Sequence, residues 1–181
     1  MRAALNEKNL VLTFDLLESS LLRHLFQQII ANYQIKPEQL DPKAASAWYS
    51  TKGCQAAGMS REETRDWLET LYGYKSASLS HLRNWSGVLE SPNQGHCHIQ
   101  LTLAEASILL TAVNDHRLWL AAKHDIGQKE MDACALPTFN TLEASQQIAL
   151  SEISFLAGLI ERMLRFLPGN PADWMETLEL E

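Results

Sequence analysis

The sequence predicts an all-α protein, a bundle of five to six helices with a small two-stranded β ribbon. Three capping boxes predict helix starts, at Asp15 and Glu18, Ser60 and Glu63, and Thr102 and Glu105. Apolar residues three or four positions apart follow each box, as in helices that bury one face. Short alternating apolar stretches precede the first and third boxes, and these predict the two strands.

Composition limits the class of protein. The chain has 181 residues, of which 46% are hydrophobic and 20% charged, so residues 1–181 are expected to form a single helical domain with a real core. The net charge of −7 disfavours nucleic acid and anionic membranes as partners. We find no apolar run of membrane-spanning length and no signal-peptide pattern.

The cysteine pattern indicates the cellular compartment. Cys54, Cys97 and Cys134 are odd in number and far apart in the chain. That spacing argues against a disulfide framework, and it predicts a reducing, cytoplasmic location.

The first predicted unit is a strand followed by a helix. Residues 10–14 alternate between apolar and polar, and a helix is expected from about residue 16 to residue 33. The apolar positions expected to face its core side are Leu17, Leu21, Leu25, Phe26 and Ile29.

The middle of the chain predicts shorter helices. Asp41 precedes a proline that suits a first helical position, but Gly53 interrupts the helical pattern of residues 43–58. The helix opened by Ser60 is expected to end at Gly73, and a further helix is expected to begin at Ser76 or Ser78.

The second half repeats the first unit. A turn at residues 91–95 leads to a strand at 98–101, and a long helix follows to about residue 124. The two strands are expected to pair as the ribbon, either antiparallel or parallel. A loop at 125–139 and a helix at 142–167 complete the domain.

The second unit carries a family resemblance. The segment Val113-Asn114-Asp115-His116-Arg117-Leu118 resembles the V-N-D-x-R-L core of an uncharacterised bacterial family, domain of unknown function number twenty-seventeen. The opening helix and the closing helix are similar to the family pattern too. The resemblance implies a helical cytoplasmic protein, and it implies no established activity.

Polar residues within this segment are the main candidate site. They are joined by two acids of the last helix, and the set is Asn114, Asp115, Arg117, Glu152 and Glu161. Charged groups in an apolar helix must be paired or hydrated, so we expect a buried network in which Arg117 bridges to Glu152 or Glu161. The alternative is a polar pocket that binds a small ligand or holds an enzyme site.

Residues 62–85 resemble a helix-turn-helix. In that alternative Gly73 lies at the turn, and Lys75, His81 and Arg83 contact DNA. The acidic first helix and Glu69 at a position that needs a small side chain oppose it. DNA binding is therefore an alternative rather than the leading hypothesis.

Other chemical motifs are weak. His96 and His98 flank Cys97 in a predicted strand, but H-x-H without a second ligand pair does not predict a metal site. There is no nucleophile motif and no glycine-rich phosphate loop, so we predict no cofactor, and an enzyme is an alternative rather than the leading hypothesis.

The leading functional prediction is a non-catalytic interaction or adaptor-like protein that binds a protein partner or itself. Residues 171–181 form a predicted acidic amphipathic tail, on which Trp174 and Leu178 share one face. Such a short helix must dock, either on the protein's own core or on a partner.

Overall fold

The protein is described by a computed structural model, which covers residues 1–6, 9–93, 95–133 and 137–167. Within these ranges there are seven α-helices and three strands. The helices are α1 (Leu16–Tyr33), α2 (Pro42–Trp48), α3 (Lys52–Ala56), α4 (Arg61–Leu89), α5 (Leu103–Lys123), α6 (Gln128–Ala133) and α7 (Ala144–Leu164). The strands are β1 (Arg2–Asn6), β2 (Asn9–Asp15) and β3 (His96–Leu101). The predicted tail, with Trp174 and Leu178, lies outside the described residues.

The predicted fold class is wrong in two respects. The strands form a three-stranded antiparallel sheet in the order β1-β2-β3 instead of a two-stranded ribbon. There are also more helices than the five to six expected. Strand β1 escaped prediction because its apolar pattern is weak, with Leu5 half exposed at the sheet edge. Helices α2, α3 and α6 have five to seven residues each, too few to show a helical period.

The capping boxes are confirmed at all three helix starts. The Glu18 backbone N–H donates to Asp15 Oδ1 over 2.8 Å, and the reciprocal bond from the Asp15 N–H to the Glu18 carboxylate is 3.0 Å. Ser60 and Thr102 cap α4 and α5 by the same reciprocal geometry. These local bonds satisfy amide groups that a helix start would otherwise leave free.

Helix α4 corrects the helix-turn-helix hypothesis. It runs unbroken for 29 residues, so Gly73 lies in the middle of a helix and not at a turn. A helical glycine costs only about 1 kcal/mol relative to alanine, which the packing of the rest of the helix offsets.

The core lies between the sheet and the helices. Helix α1 packs along α4, and α5 packs along α7 and against α2. Of the residues expected to face the core from α1, Leu25, Phe26 and Ile29 are buried and Leu21 is half-buried, but Leu17 is 80% exposed. Leu22, which was not among the expected positions, is fully buried. Among the described residues, no helix combines the length and apolarity needed to cross a membrane.

Replacing Gly73 with alanine tests the continuity of α4. Apart from the adjoining backbone of its own helix, no atom of the described structure lies within 4 Å of the position that a Cβ would occupy, so alanine fits without strain. We expect Gly73→Ala to raise the free energy of unfolding by about 1 kcal/mol, measured by urea denaturation. The matched control is Gly58→Ala, where φ is +69° and alanine should destabilise by roughly 1 kcal/mol. Destabilisation by Gly73→Ala would contradict the unbroken helix.

Candidate functional site

Lys75 lies near the middle of α4 and is buried. Its side chain is 8% exposed, and Lys75 Nζ forms an ion pair with Asp115 Oδ2 on α5. The proposed DNA contact at Lys75 is therefore wrong, because its ammonium is enclosed and already compensated. A buried charge is tolerated only when it is paired in this way.

Three aromatic rings enclose the Lys75 ammonium. The distance from Nζ to the ring centroid is 5.2 Å for Tyr33, 5.4 Å for Trp48 and 5.6 Å for Tyr49. Rings at this distance stabilise a cation through their negative faces. We call Tyr33, Trp48, Tyr49, Lys75 and Asp115 the lysine cluster.

Asp115, which lies on α5, connects three other helices of the cluster, α1, α2 and α4. Its carboxylate accepts a hydrogen bond of 2.7 Å from the Tyr33 hydroxyl, and its backbone carbonyl accepts one of 2.5 Å from Trp48 Nε1–H. Burial and the neighbouring Asp115 carboxylate raise the pKa of Tyr33 well above its usual value. The same causes raise the pKa of Tyr49 to about 12. Both hydroxyls therefore remain protonated at neutral pH.

A groove opens between α4 and α5 beside the lysine cluster. Its volume is about 460 Å³, and Tyr33 of α1 contributes to it. The remaining lining residues belong to α4 and α5, and they are Leu71, Tyr74, Lys75, Ala77, Ser78, His81, Ser107, Ile108 and Thr111. We call this cavity the α4–α5 groove.

The predicted polar network is only partly assembled. Asp115 is central to the lysine cluster, whereas Asn114 at the preceding position is exposed. Within the described ranges Arg117 forms no ion pair with Glu152 or Glu161, and its Nε is buried without a hydrogen-bond partner.

The two acids of α7 have other surroundings. Glu161 pairs with Arg165 one turn away, at 2.6 Å between carboxylate and guanidinium. Burial raises the pKa of Glu152, which is half-buried. The expected bridge from Arg117 therefore does not form within the described residues. Glu161 is exposed and pairs with Arg165 one helical turn away instead.

The other two proposed DNA contacts, His81 and Arg83, differ in their exposure to solvent. His81 is half-buried in the α4–α5 groove, with Nδ1 3.6 Å from Glu105 Oε1, and its ring packs at a tilt of 40° against Trp85. Arg83 is exposed on the same helix. A single unbroken helix in which Lys75 is buried and His81 is half-buried does not reproduce the recognition geometry of a helix-turn-helix.

His116 is a buried residue that the sequence did not single out. It is fully buried on α5, it stacks on Trp119 at 5.2 Å between ring centroids, and neither ring nitrogen has a hydrogen-bond partner within the described chain. Burial, together with nearby His24 and Lys123, lowers the pKa of His116 to about 4. The ring is therefore neutral at physiological pH.

The histidines around Cys97 have structural contacts. His98 Nδ1 lies 3.0 Å from the Thr13 hydroxyl across the sheet, and the buried Cys97 thiol donates to the Leu89 carbonyl. Among the described residues there is no cluster of three or more histidine, cysteine or acidic side chains that could hold a metal ion.

No family model, no curated protein and no solved structure matches this chain. The resemblance to the domain family carried by residues 113–118 therefore stays a prediction. The function has to be argued from the lysine cluster and the groove themselves.

The buried His116 predicts a loss of stability in acid. The folded protein holds its pKa at about 4 against an ordinary value of 6.5, so the unfolded chain binds more protons between these values. The contribution of His116 to the free energy of unfolding is complete above about pH 6.5. It should fall by about 3 kcal/mol as the pH drops to about 4.

The variant His116→Phe keeps an aromatic ring and cannot titrate. Urea unfolding of this variant at a series of pH values should lose that part of the acid sensitivity, whereas His98→Gln, an exposed control, should retain it. An unchanged pH dependence in His116→Phe would show that His116 is not the group responsible.

Proposed function

We propose that the protein binds a small organic molecule in the α4–α5 groove and acts as a ligand-binding or sensing protein. The observation that carries the proposal is the groove itself, with a volume of about 460 Å³. Small-molecule sites are typically concave, mostly apolar and of roughly 300–1,000 Å³, with a few polar groups that orient the ligand. The groove combines apolar Leu71 and Ile108 with a small number of hydroxyl groups.

The lysine cluster supports the proposal because it gives the groove a fixed floor. Tyr33 and Lys75 line the groove and are both held by Asp115. A site whose polar groups are already positioned loses less conformational entropy when its ligand binds.

The predicted role as an interaction or adaptor-like protein stays a prediction. It drew on the tail residues Trp174 and Leu178, which lie outside the described residues. The buried thiols of Cys54 and Cys97, both free within the described chain, support the reducing, cytoplasmic location that we propose with it.

Ligand screening by NMR, followed by thermal unfolding, tests the proposed function. We expect a compound from a metabolite library to perturb amide resonances of residues 71–81 and 107–111. At 100 times its dissociation constant such a ligand should stabilise the fold by about 3 kcal/mol and so raise Tm. Ser107→Trp, which fills the groove from its exposed rim, should abolish both effects.

The matched control is Ser151→Trp, which places the same side chain at an exposed position on α7 outside the groove. It should leave binding unchanged. If no compound perturbs the groove, or if Ser107→Trp binds as well as the wild type, the proposed function is wrong.

A further inference from the structure

Three hydroxyl groups in the α4–α5 groove already donate hydrogen bonds to the backbone of their own helices. The hydroxyls of Ser78, Ser107 and Thr111 donate to backbone carbonyls one turn earlier, over 2.9, 3.2 and 2.9 Å respectively. A hydroxyl has one proton, so each of these oxygens can act toward the groove only as an acceptor.

The floor of the groove has the same polarity. The Tyr33 hydroxyl donates to Asp115, which leaves its oxygen as an acceptor as well. Lys75 is the one cation among the lining residues, but its charge is balanced by Asp115 and its ammonium is enclosed by rings. Apart from the Tyr74 hydroxyl and the His81 ring, which also line the groove, an anionic ligand would therefore meet acceptor oxygens and an ion pair that is already complete.

The end of the groove near His81 adds negative charge. Glu105 Oε1 lies 3.6 Å from His81 Nδ1, and the Thr102 backbone N–H lowers the pKa of Glu105, so that its carboxylate is charged at neutral pH. The whole chain carries a net charge of −7. Both the local and the overall field favour a cation over an anion.

We infer that the ligand of the α4–α5 groove is an organic ammonium compound with an apolar body. Its N–H groups donate to the oxygens of Ser78, Ser107 and Thr111, and its apolar part lies against Leu71 and Ile108. This inference rests on the proposed function and adds the chemical class of the ligand to it.

Two probes with the same apolar body separate the ligand classes. Phenethylamine carries an ammonium group, and 3-phenylpropionate carries a carboxylate on the same phenylethyl skeleton. In NMR titrations of the full chain at neutral pH, we expect phenethylamine to perturb residues 107–111 and to bind at least about tenfold more tightly than 3-phenylpropionate, because only the ammonium can donate charge-assisted hydrogen bonds to the acceptor oxygens.

The double substitution Ser107→Ala with Thr111→Val removes two acceptors and keeps the shape of the groove. It should weaken phenethylamine binding by about tenfold or more. Ser151→Ala with Thr70→Val is the matched control, because these hydroxyls also donate to carbonyls of their own helices but lie outside the groove. The control should leave the affinity unchanged.

The remaining outcomes of these titrations separate a failure of the ammonium inference from a failure of the proposed function. If 3-phenylpropionate binds the groove as tightly as phenethylamine, or if only non-ammonium library compounds bind there, the ammonium inference is overturned while the proposed function stands. Phenethylamine binding that survives the double substitution overturns the role of the hydroxyls. If no compound of any class binds the groove, the proposed function fails and the inference fails with it.

Discussion

The ion pair between Lys75 and Asp115 is the contact on which the arrangement of the helices depends. It joins the middle of α4 to α5, and Tyr33 of α1 and Trp48 of α2 complete it through hydrogen bonds to Asp115. Removing an ammonium and a carboxylate from water costs several kcal/mol each, and their attraction offsets this only when further bonds satisfy the pair. The aromatic rings around the ammonium and the bonds to Asp115 provide that compensation, so four helices must meet in one geometry for the cluster to exist.

The same ion pair determines the chemistry of the α4–α5 groove. Because Asp115 balances Lys75, the floor of the groove has no unpaired cation, although a lysine lines it. The hydroxyls along the walls are turned toward their own helices, so the groove presents acceptor oxygens. The selectivity that we infer therefore follows from the hydrogen bonds and the ion pair that these side chains already form within the protein.

The sequence predicts the local parts of this structure and misses the parts that depend on distant contacts. The start of α1 after its cap Asp15 follows from side chains three residues apart, and it is confirmed. The unbroken α4 was missed because packing outweighs the small cost of Gly73. Strand β1 was missed because its own apolar pattern is weak and it is held by pairing with β2. The lysine cluster was missed for the same kind of reason. Asp115 was a candidate, but its partner Lys75 is 40 residues away and Tyr33 is 82 residues away, with no local pattern that links them.

A double-mutant cycle on the buried pair tests the central claim most directly. By urea unfolding, Lys75→Met and Asp115→Asn should each destabilise the protein by about 3 kcal/mol, because each leaves a buried partner unpaired. The double variant should lose at least about 1 kcal/mol less than the sum of the two single effects. The exposed pair of Lys43 and Asp125 is the control, for which Lys43→Met should cost less than about 1 kcal/mol. Additive effects at Lys75 and Asp115, or losses as small as those at the exposed pair, would contradict the account.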